Sequence, residues 1–421
     1  MVPYQDNPRF IGRTRFLETM KERLSANVSR RYNYRIALYG MGGIGKTQCA
    51  LGYVYANRTE YNRIYWINAV DQPSLLSGYQ SIAKHARLGG LQSATPVEIA
   101  RAVLSWLKGE QNWLLVVDNL DDIEVIGSLL PENGPEKHTL ITTRDADTRS
   151  IPAEPLEVPL LEPEDAVDLL SALAEIDVPP GSKERKQAQE IVRELGYLPL
   201  AIEQASALVR AFGDFDTYSH EYRNNRRELR RVPEGNRGYS YWVATTWSLS
   251  FQVIQNEAPH VLKLLRLLSV LNPDGIVIEF LTSGAHILED DLQQVVSSRF
   301  EMAKALLELE KFSLIRWDRT EARIIIHRSV QSVVKESMSE DEQDFYTNAG
   351  LALCDSAFPQ HWDTEEMRRK FRRDVHEVCL LQFCNPTSQS EKLMNLLKRI
   401  GAFLYTGRKF SARRQILVCS W

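Results

Sequence analysis

The sequence predicts an α/β domain built on a parallel sheet with helices on both faces, followed by helical and small mixed domains. Three observations carry this prediction. Between about Arg35 and Thr143 the continuous apolar runs RIALYG, RIYWINA, NWLLVVDN and HTLITTR alternate with amphipathic stretches, the pattern of strands buried on both faces and joined by helices. The first run opens directly into a glycine-rich loop and a helix pattern. Beyond Pro163 the strand signal fades, and EPEDAVDLLSALAE begins with proline and acidic residues, which suit the positive end of a helix.

RIALYG reads as the first strand, with a helix from Lys46. RIYWINA is the second strand, a helix around 75–86 crosses back, and NWLLVVDN and HTLITTR are the third and fourth strands. A small helical domain closes with a helix over 200–212. The segment YRNNRRELRRVPEGNRG is polar, strongly basic and punctuated by Pro and Gly, so it reads as a linker. From 258 to 271 the positions Val261, Leu262, Leu264, Leu265, Leu267 and Leu268 define a buried helix. LIRWDRTEARIIIH, two β-rich runs around the turn-like DRTEA, reads as a hairpin, and helices followed by such a hairpin suggest a winged-helix unit. The remainder, 340–421, is helix-rich, with Leu393, Leu396, Leu397, Ile400, Phe403 and Leu404 on one stripe.

A chain of 421 residues has room for two to four domains at roughly 150 residues each. With 43% hydrophobic and 25% charged residues it has ordinary globular usage, and a formal net charge of −4 gives no global field to recruit nucleic acid or anionic lipid. MVPYQDNPRF lacks the basic and apolar regions of a secretory signal, and the charge-free stretch 238–256 is too polar for a membrane span. Cys49, Cys354, Cys379, Cys384 and Cys419 are odd in number and sparse, as expected in a reducing compartment, so the chain is read as cytoplasmic.

The decisive segment is Gly40-Met41-Gly42-Gly43-Ile44-Gly45-Lys46-Thr47, a match to G-x-x-x-x-G-K-[ST] between a strand and a helix. Glycines let backbone N–H groups converge on phosphate oxygens, and the helix N-terminus offers its dipole to the same anion. Lys46 is expected to reach the β- and γ-phosphates and the Thr47 hydroxyl to complete a Mg²⁺ shell. The run Leu114 to Asp118 supplies an apolar strand ending in a carboxylate, so Asp118 is the metal-holding Walker B candidate. LITTR ends in Thr142, Thr143 and Arg144 at the carboxyl edge of the same sheet, where Arg144 could sense a γ-phosphate or be a plain surface arginine. Lys46, Asp118 and Arg144 are the candidate catalytic residues.

These motifs, with others in order, resemble the NB-ARC branch of the STAND P-loop ATPases, shared by animal apoptosome proteins, plant disease-resistance proteins and fungal NOD-like receptors. Phe10-Ile11-Gly12-Arg13 resembles the motif that packs on adenine, IYWINA the strand after the P-loop helix, and Leu195-Gly196-Tyr197-Leu198-Pro199-Leu200-Ala201 the GLPLA motif. ATTWSLSF, LNPDGI and HRSVQSVV resemble the fungal subgroup. The resemblance covers roughly 10–339. It implies a doubly wound P-loop NTPase domain over 1–155, a helical ARC1 domain over 156–222, a linker and winged helix over 223–338, and a helical segment starting tetratricopeptide-like repeats over 339–421.

The same resemblance implies ADP or ATP with Mg²⁺ as cofactors, bound by Ile11, Arg13, Gly42, Gly43, Ile44, Gly45, Lys46, Thr47 and Gln48, with Pro199 on the base. His327, in the place of the family's MHD histidine, would contact the β-phosphate of ADP; by position alone it reads better as a core histidine, and only the family order brings the two readings level. Arg328 replaces that motif's Asp. The expected function is an intracellular signalling switch, closed with ADP and oligomeric with ATP, meeting protein partners through the C-terminal helices. Asn119 stands where many relatives carry a second acidic residue, and Asn cannot accept a proton, so hydrolysis should be slow. Asp121 and Asp122 are nearby substitutes or helix caps.

A DNA-binding regulator and a metabolic phosphotransferase are the alternative functions. For the first, the basic run Arg223, Arg226, Arg227, Arg230 and Arg231 reads better as a solvated face, and nucleic acid is not an expected partner. His376, Cys379 and Cys384 read as helical core rather than a zinc site, and Cys49 as a buried thiol. LLKRIGAFLYTGRKFSARRQIL resembles a first tetratricopeptide unit and stops after scarcely one repeat, so the chain is read as shortened at its C-terminus.

Overall fold

A computed structural model describes residues 1–25, 32, 34–91, 93–145, 151–229, 240–273 and 275–357. The chain forms two compact units, the first Met1–Leu169 with Gly196–Leu200, the second Leu170–Leu195 with the described residues from Ala201.

The first unit holds α1 (Thr14–Ser25), β1 (Arg35–Tyr39), α2 (Lys46–Ala56), β2 (Arg63–Asn68), α3 (Gln72–His85), α4 (Pro96–Gly109), β3 (Trp113–Asp118), α5 (Ile123–Ile126), β4 (Lys137–Thr143) and β5 (Glu154–Glu157). Its five strands run parallel in the order β2-β3-β4-β1-β5. The four apolar runs are therefore the four contiguous strands β2-β3-β4-β1, with β2 at one edge of the sheet. Every residue of β3 is buried, so both its faces are covered, which is why no polar alternation marks it. On one face Trp113, Leu115 and Val117 pack with Tyr79 and Ile82 of α3 and Val103 and Leu107 of α4. A capping box starts α4: the Thr95 hydroxyl accepts from the Glu98 N–H while the Glu98 carboxylate accepts from the Thr95 N–H.

At the amino-terminal edge of the sheet lies a buried polar relay. His138 Nε2 is 3.0 Å from the Pro135 carbonyl and so carries the proton, which leaves Nδ1 to accept from the Tyr61 hydroxyl at 2.7 Å. The Tyr61 oxygen in turn accepts from Tyr53 at 3.0 Å.

The boundary between the units falls within α6 (Pro163–Ala174) and at the start of α8 (Pro199–Phe212). The second unit continues with α7 (Lys183–Glu194), α9 (Phe215–Leu229), α10 (Ser240–Glu257), α11 (Pro259–Ser269), β6 (Ile276–Val277), α12 (Ile278–Ser283), α13 (Asp290–Ser297), α14 (Arg299–Lys311), β7 (Ile315–Asp318), β8 (Arg323–Ile326), α15 (Arg328–Glu336) and α16 (Glu340–Ala357). The expected hairpin is β7-β8, joined by β6 in a three-stranded antiparallel sheet. Buried Gln331 of α15 ties this region to α11 by donating to the Leu268 and Leu271 carbonyls.

The linker reading of YRNNRRELRRVPEGNRG is corrected in its first half, because residues 222–229 continue α9. Tyr218 and Tyr222, four residues apart, are buried and stack at 5.6 Å, and this apolar anchor outweighs the surrounding charge. Arg223 pairs with Glu190 and Glu194 of α7, both at 3.5 Å. Arg230 and Arg231, the cluster His376, Cys379 and Cys384, and the tetratricopeptide-like segment lie outside the described residues. No helix among the described residues is long and apolar enough to cross a membrane.

Candidate functional site

The loop between β1 and α2 is shaped by backbone that only glycine adopts cheaply. Gly43 has φ +75° and Gly45, at the head of α2, φ +94°. The turn brings Lys46 and Thr47 to the carboxyl edge of the sheet, where β3 delivers Asp118 and β4 delivers Thr142.

Thr47 Oγ1 donates to Asp118 Oδ1 at 3.0 Å, and Thr142 Oγ1 donates to the same oxygen at 2.5 Å. Asp118 is 1% exposed. Lys46 curls over its own loop, donating to the carbonyls of Gly40 at 2.7 Å and Met41 at 2.9 Å. Burial pulls its ammonium pKa down to about 8, against the favourable charges of Asp121 and Asp118 and with the unfavourable charge of Arg144. A poised cation thus sits beside a buried carboxylate and a hydroxyl. Such hard oxygen donors at one edge suit a Mg²⁺-bound phosphate.

Arg144 is held by Asp121: its Nε and backbone N–H each donate to that carboxylate at 2.6 Å. Asp122 caps α5, as one of the two readings of that pair expects. Asn119 occupies left-handed backbone at φ +63°, its N–H bonded to Thr142 Oγ1 at 2.9 Å and its amide to Asn68 at 3.4 Å.

The residues before α1 close over the loop. Arg13 donates to the Ile44 carbonyl at 2.6 Å and to Cys49 Sγ at 3.1 Å, so the P-loop thiol is buried as expected. Asn7 bonds Gln48 at 2.9 Å. Gly12 packs so tightly that a Cβ there would lie 2.2 Å from Asp165 Oδ2. Ile11 is partly buried between these contacts and Ile44 is fully buried. Gly42, between Met41 and Gly43, forms part of the same turn. The head of α8 reaches the loop as well, because the Leu200 N–H donates to the Gly43 carbonyl at 3.3 Å, which places Pro199 beside the phosphate loop.

His327 belongs to the second unit. It is exposed at the head of α15, where its Nδ1 accepts from the Ser329 N–H at 3.1 Å. The core-histidine alternative is thereby corrected: the ring is a helix cap, because β8 ends its buried run at Ile326. Thr142 is the site residue whose role the sequence did not suggest. A threonine beside the carboxyl end of a buried strand was the available signal, and it became specific only once β4 proved to neighbour β3.

Residues 13–176 match the NB-ARC domain family, and residues 252–343 match a domain of unknown function (DUF7779). A nucleotide-binding leucine-rich repeat (NLR)-like protein of Hyaloscypha variabilis is 25% identical over 445 residues, covering 97% of this chain and 43% of the relative. The regulatory protein AfsR of Streptomyces griseus is 26% identical over 366 residues, covering 82% of this chain and 35% of its own length. The chain thus spans less than half the length of these relatives. Among solved structures, a signal transduction ATPase with numerous domains (STAND) from Pyrococcus horikoshii, with a tetratricopeptide repeat sensor, shares the fold at TM-score 0.50 and 16% identity, over 99% of this chain and 60% of that one. The phosphate loop, the strand order and the domain match agree: residues 13–176 are similar to the NB-ARC domain, the fold is that of a P-loop NTPase shared with the STAND neighbour, and the chain has an NLR-like relative.

Proposed function

We propose that the chain is the nucleotide-operated switch of an intracellular, cytoplasmic signalling protein, of the innate-immunity or programmed-cell-death kind. ADP stabilises a closed form, and exchange for ATP with Mg²⁺ favours an open, oligomerising one. The observation that carries this reading is the convergence of Lys46, Thr47 and Asp118 at one sheet edge, on a loop whose Gly43 carbonyl holds the head of α8. A change in loop geometry on nucleotide exchange would be felt directly by that helix.

Lys46 and the loop amides bind phosphate, while Thr47 and Asp118 hold the metal. Mg²⁺, when bound, neutralises phosphate charge. Arg144 senses the γ-phosphate by exchanging its Asp121 partner for it. Ile11, Arg13, Gln48 and Pro199 flank the base and ribose. His327, in the winged-helix domain assigned to 223–338, gives the ADP state its extra contact. The domain limits 1–155, 156–222 and 339–421, and tetratricopeptide-like repeats in the last, complete the reading. Asn119 makes any ATPase slow, so the state is timed by exchange rather than turnover.

A nucleotide moves such an equilibrium only by its difference in affinity for the two forms; a full reversal from 1:99 to 99:1 needs about 10⁴-fold. Light scattering and hydrogen exchange with ADP, then with a non-hydrolysable ATP analogue and Mg²⁺, test this. A larger particle or deprotection around α6 and α8 with the triphosphate is expected. Identical mass and identical exchange in both states would reject the switch.

A further inference from the structure

Asp118 presents one oxygen to two hydroxyls. Thr47, on the P-loop helix, is the group expected at the metal itself. Thr142 comes from the neighbouring strand, brought alongside by the parallel register that pairs Val117 with Ile141. Its hydroxyl is committed on both sides: the lone pair accepts from the Asn119 N–H at 2.9 Å and the proton goes to Asp118 Oδ1 at 2.5 Å. The Leu120 N–H donates to the Thr142 carbonyl at 2.9 Å, fastening the two strand ends together. Both Thr142 and Asp118 are 1% exposed, so water does not compete for these bonds. A β-branched side chain has few χ1 choices, and a charge-assisted O–H···O⁻ bond is short and strong.

The geometry points to Thr142 as the positioning residue that fixes the Asp118 carboxylate for Mg²⁺, an inference that rests on the nucleotide-binding reading above. Thr142 acts through Asp118, as residues hydrogen-bonded to metal ligands do, and their loss typically weakens metal binding by about 10–100-fold. A threonine that served packing alone would leave metal affinity untouched when exchanged for valine, which fits a buried strand.

The test uses a fluorescent ADP analogue on the full chain, its dissociation rate measured against Mg²⁺ concentration and in EDTA. For Thr142→Val the Mg²⁺ midpoint should rise about 10–100-fold while the rate in EDTA stays within about two-fold of wild type. Thr142→Ser, which restores the hydroxyl, should return the midpoint to within about three-fold. Asp118→Asn marks the limit of lost metal response. A Thr142→Val midpoint equal to wild type, or equal weakening with and without Mg²⁺, overturns the role of Thr142 while leaving nucleotide binding standing. Failure of the wild type to bind the analogue in either condition overturns both.

Discussion

The depressed pKa of Lys46 predicts a pH dependence that belongs to the phosphate site. Burial holds the ammonium near pKa 8, so in the nucleotide-free protein about half of it is neutral at pH 8 and about nine-tenths at pH 9. Asp118, Asp121 and Arg144 are the charged groups that act on it. A bound diphosphate adds negative charge and raises that pKa, so binding above pH 8 takes up a proton. The sign follows: the Lys46 contribution to ADP affinity should be complete near pH 7 and fall with rising pH above 8, reaching about a tenfold loss at pH 9. Lys46→Arg, charged at every accessible pH, should bind more weakly overall and show no such fall. Titration calorimetry from pH 6.5 to 9.5, repeated in two buffers of different ionisation enthalpy, reads both the affinity and the proton uptake. A wild-type profile flat to pH 9.5, or proton release at pH 8.5, would refute the reasoning.

Four further outcomes follow from particular contacts. Tyr61→Phe strands the Tyr53 hydroxyl and His138 Nδ1 in the core and should cost about 2–4 kcal/mol in denaturant unfolding; a loss below about 0.5 kcal/mol would dissolve the relay. Burial lowers the His138 pKa from 6.5, so the unfolded chain binds more protons below that pH. The stability His138 contributes is complete above pH 6.5 and declines as the pH falls toward the folded value, a decline that His138→Gln should reduce. Gly12→Ala meets both a φ of +73° and the Asp165 side chain, and should lower the melting temperature and loosen ADP; adding Asp165→Gly, which removes the Cβ as well as the carboxylate, should relieve the collision but not the backbone strain of about 1–2 kcal/mol. His327→Ala should speed ADP release several-fold while costing about 1 kcal/mol as a lost cap; an unchanged off-rate would remove His327 from the nucleotide.

The parts of this fold written in continuous apolar runs were legible beforehand. β1 to β4 are such runs because the sheet is covered on both faces, and the phosphate loop is legible because it needs glycine at fixed places. β5, Glu-Pro-Leu-Glu at the sheet edge, has a half-exposed pattern and no run to reveal it. The helix at Pro96 carries its own signal, Thr95 with Glu98, but polar neighbours on both sides blur its start in the sequence. α9 was hidden for the opposite reason, since a dense basic run masked two tyrosines at helical spacing. At the site, Lys46, Thr47 and Asp118 come together as their motifs suggest. The Thr142 hydroxyl and the Asp121 grip on Arg144 depend on which strand ends lie side by side, and strand order is a tertiary fact that periodicity does not encode.

In the proposed function the corner formed by Gly43, Gly45, Lys46 and Thr47 holds the phosphates of an adenine nucleotide. Acid extraction of the purified chain followed by ion-exchange chromatography tests it most directly. Up to one ADP per wild-type chain is expected, with rebinding of ADP after stripping, and neither in Lys46→Ala. A wild-type chain that elutes empty and takes up no adenine nucleotide would contradict it.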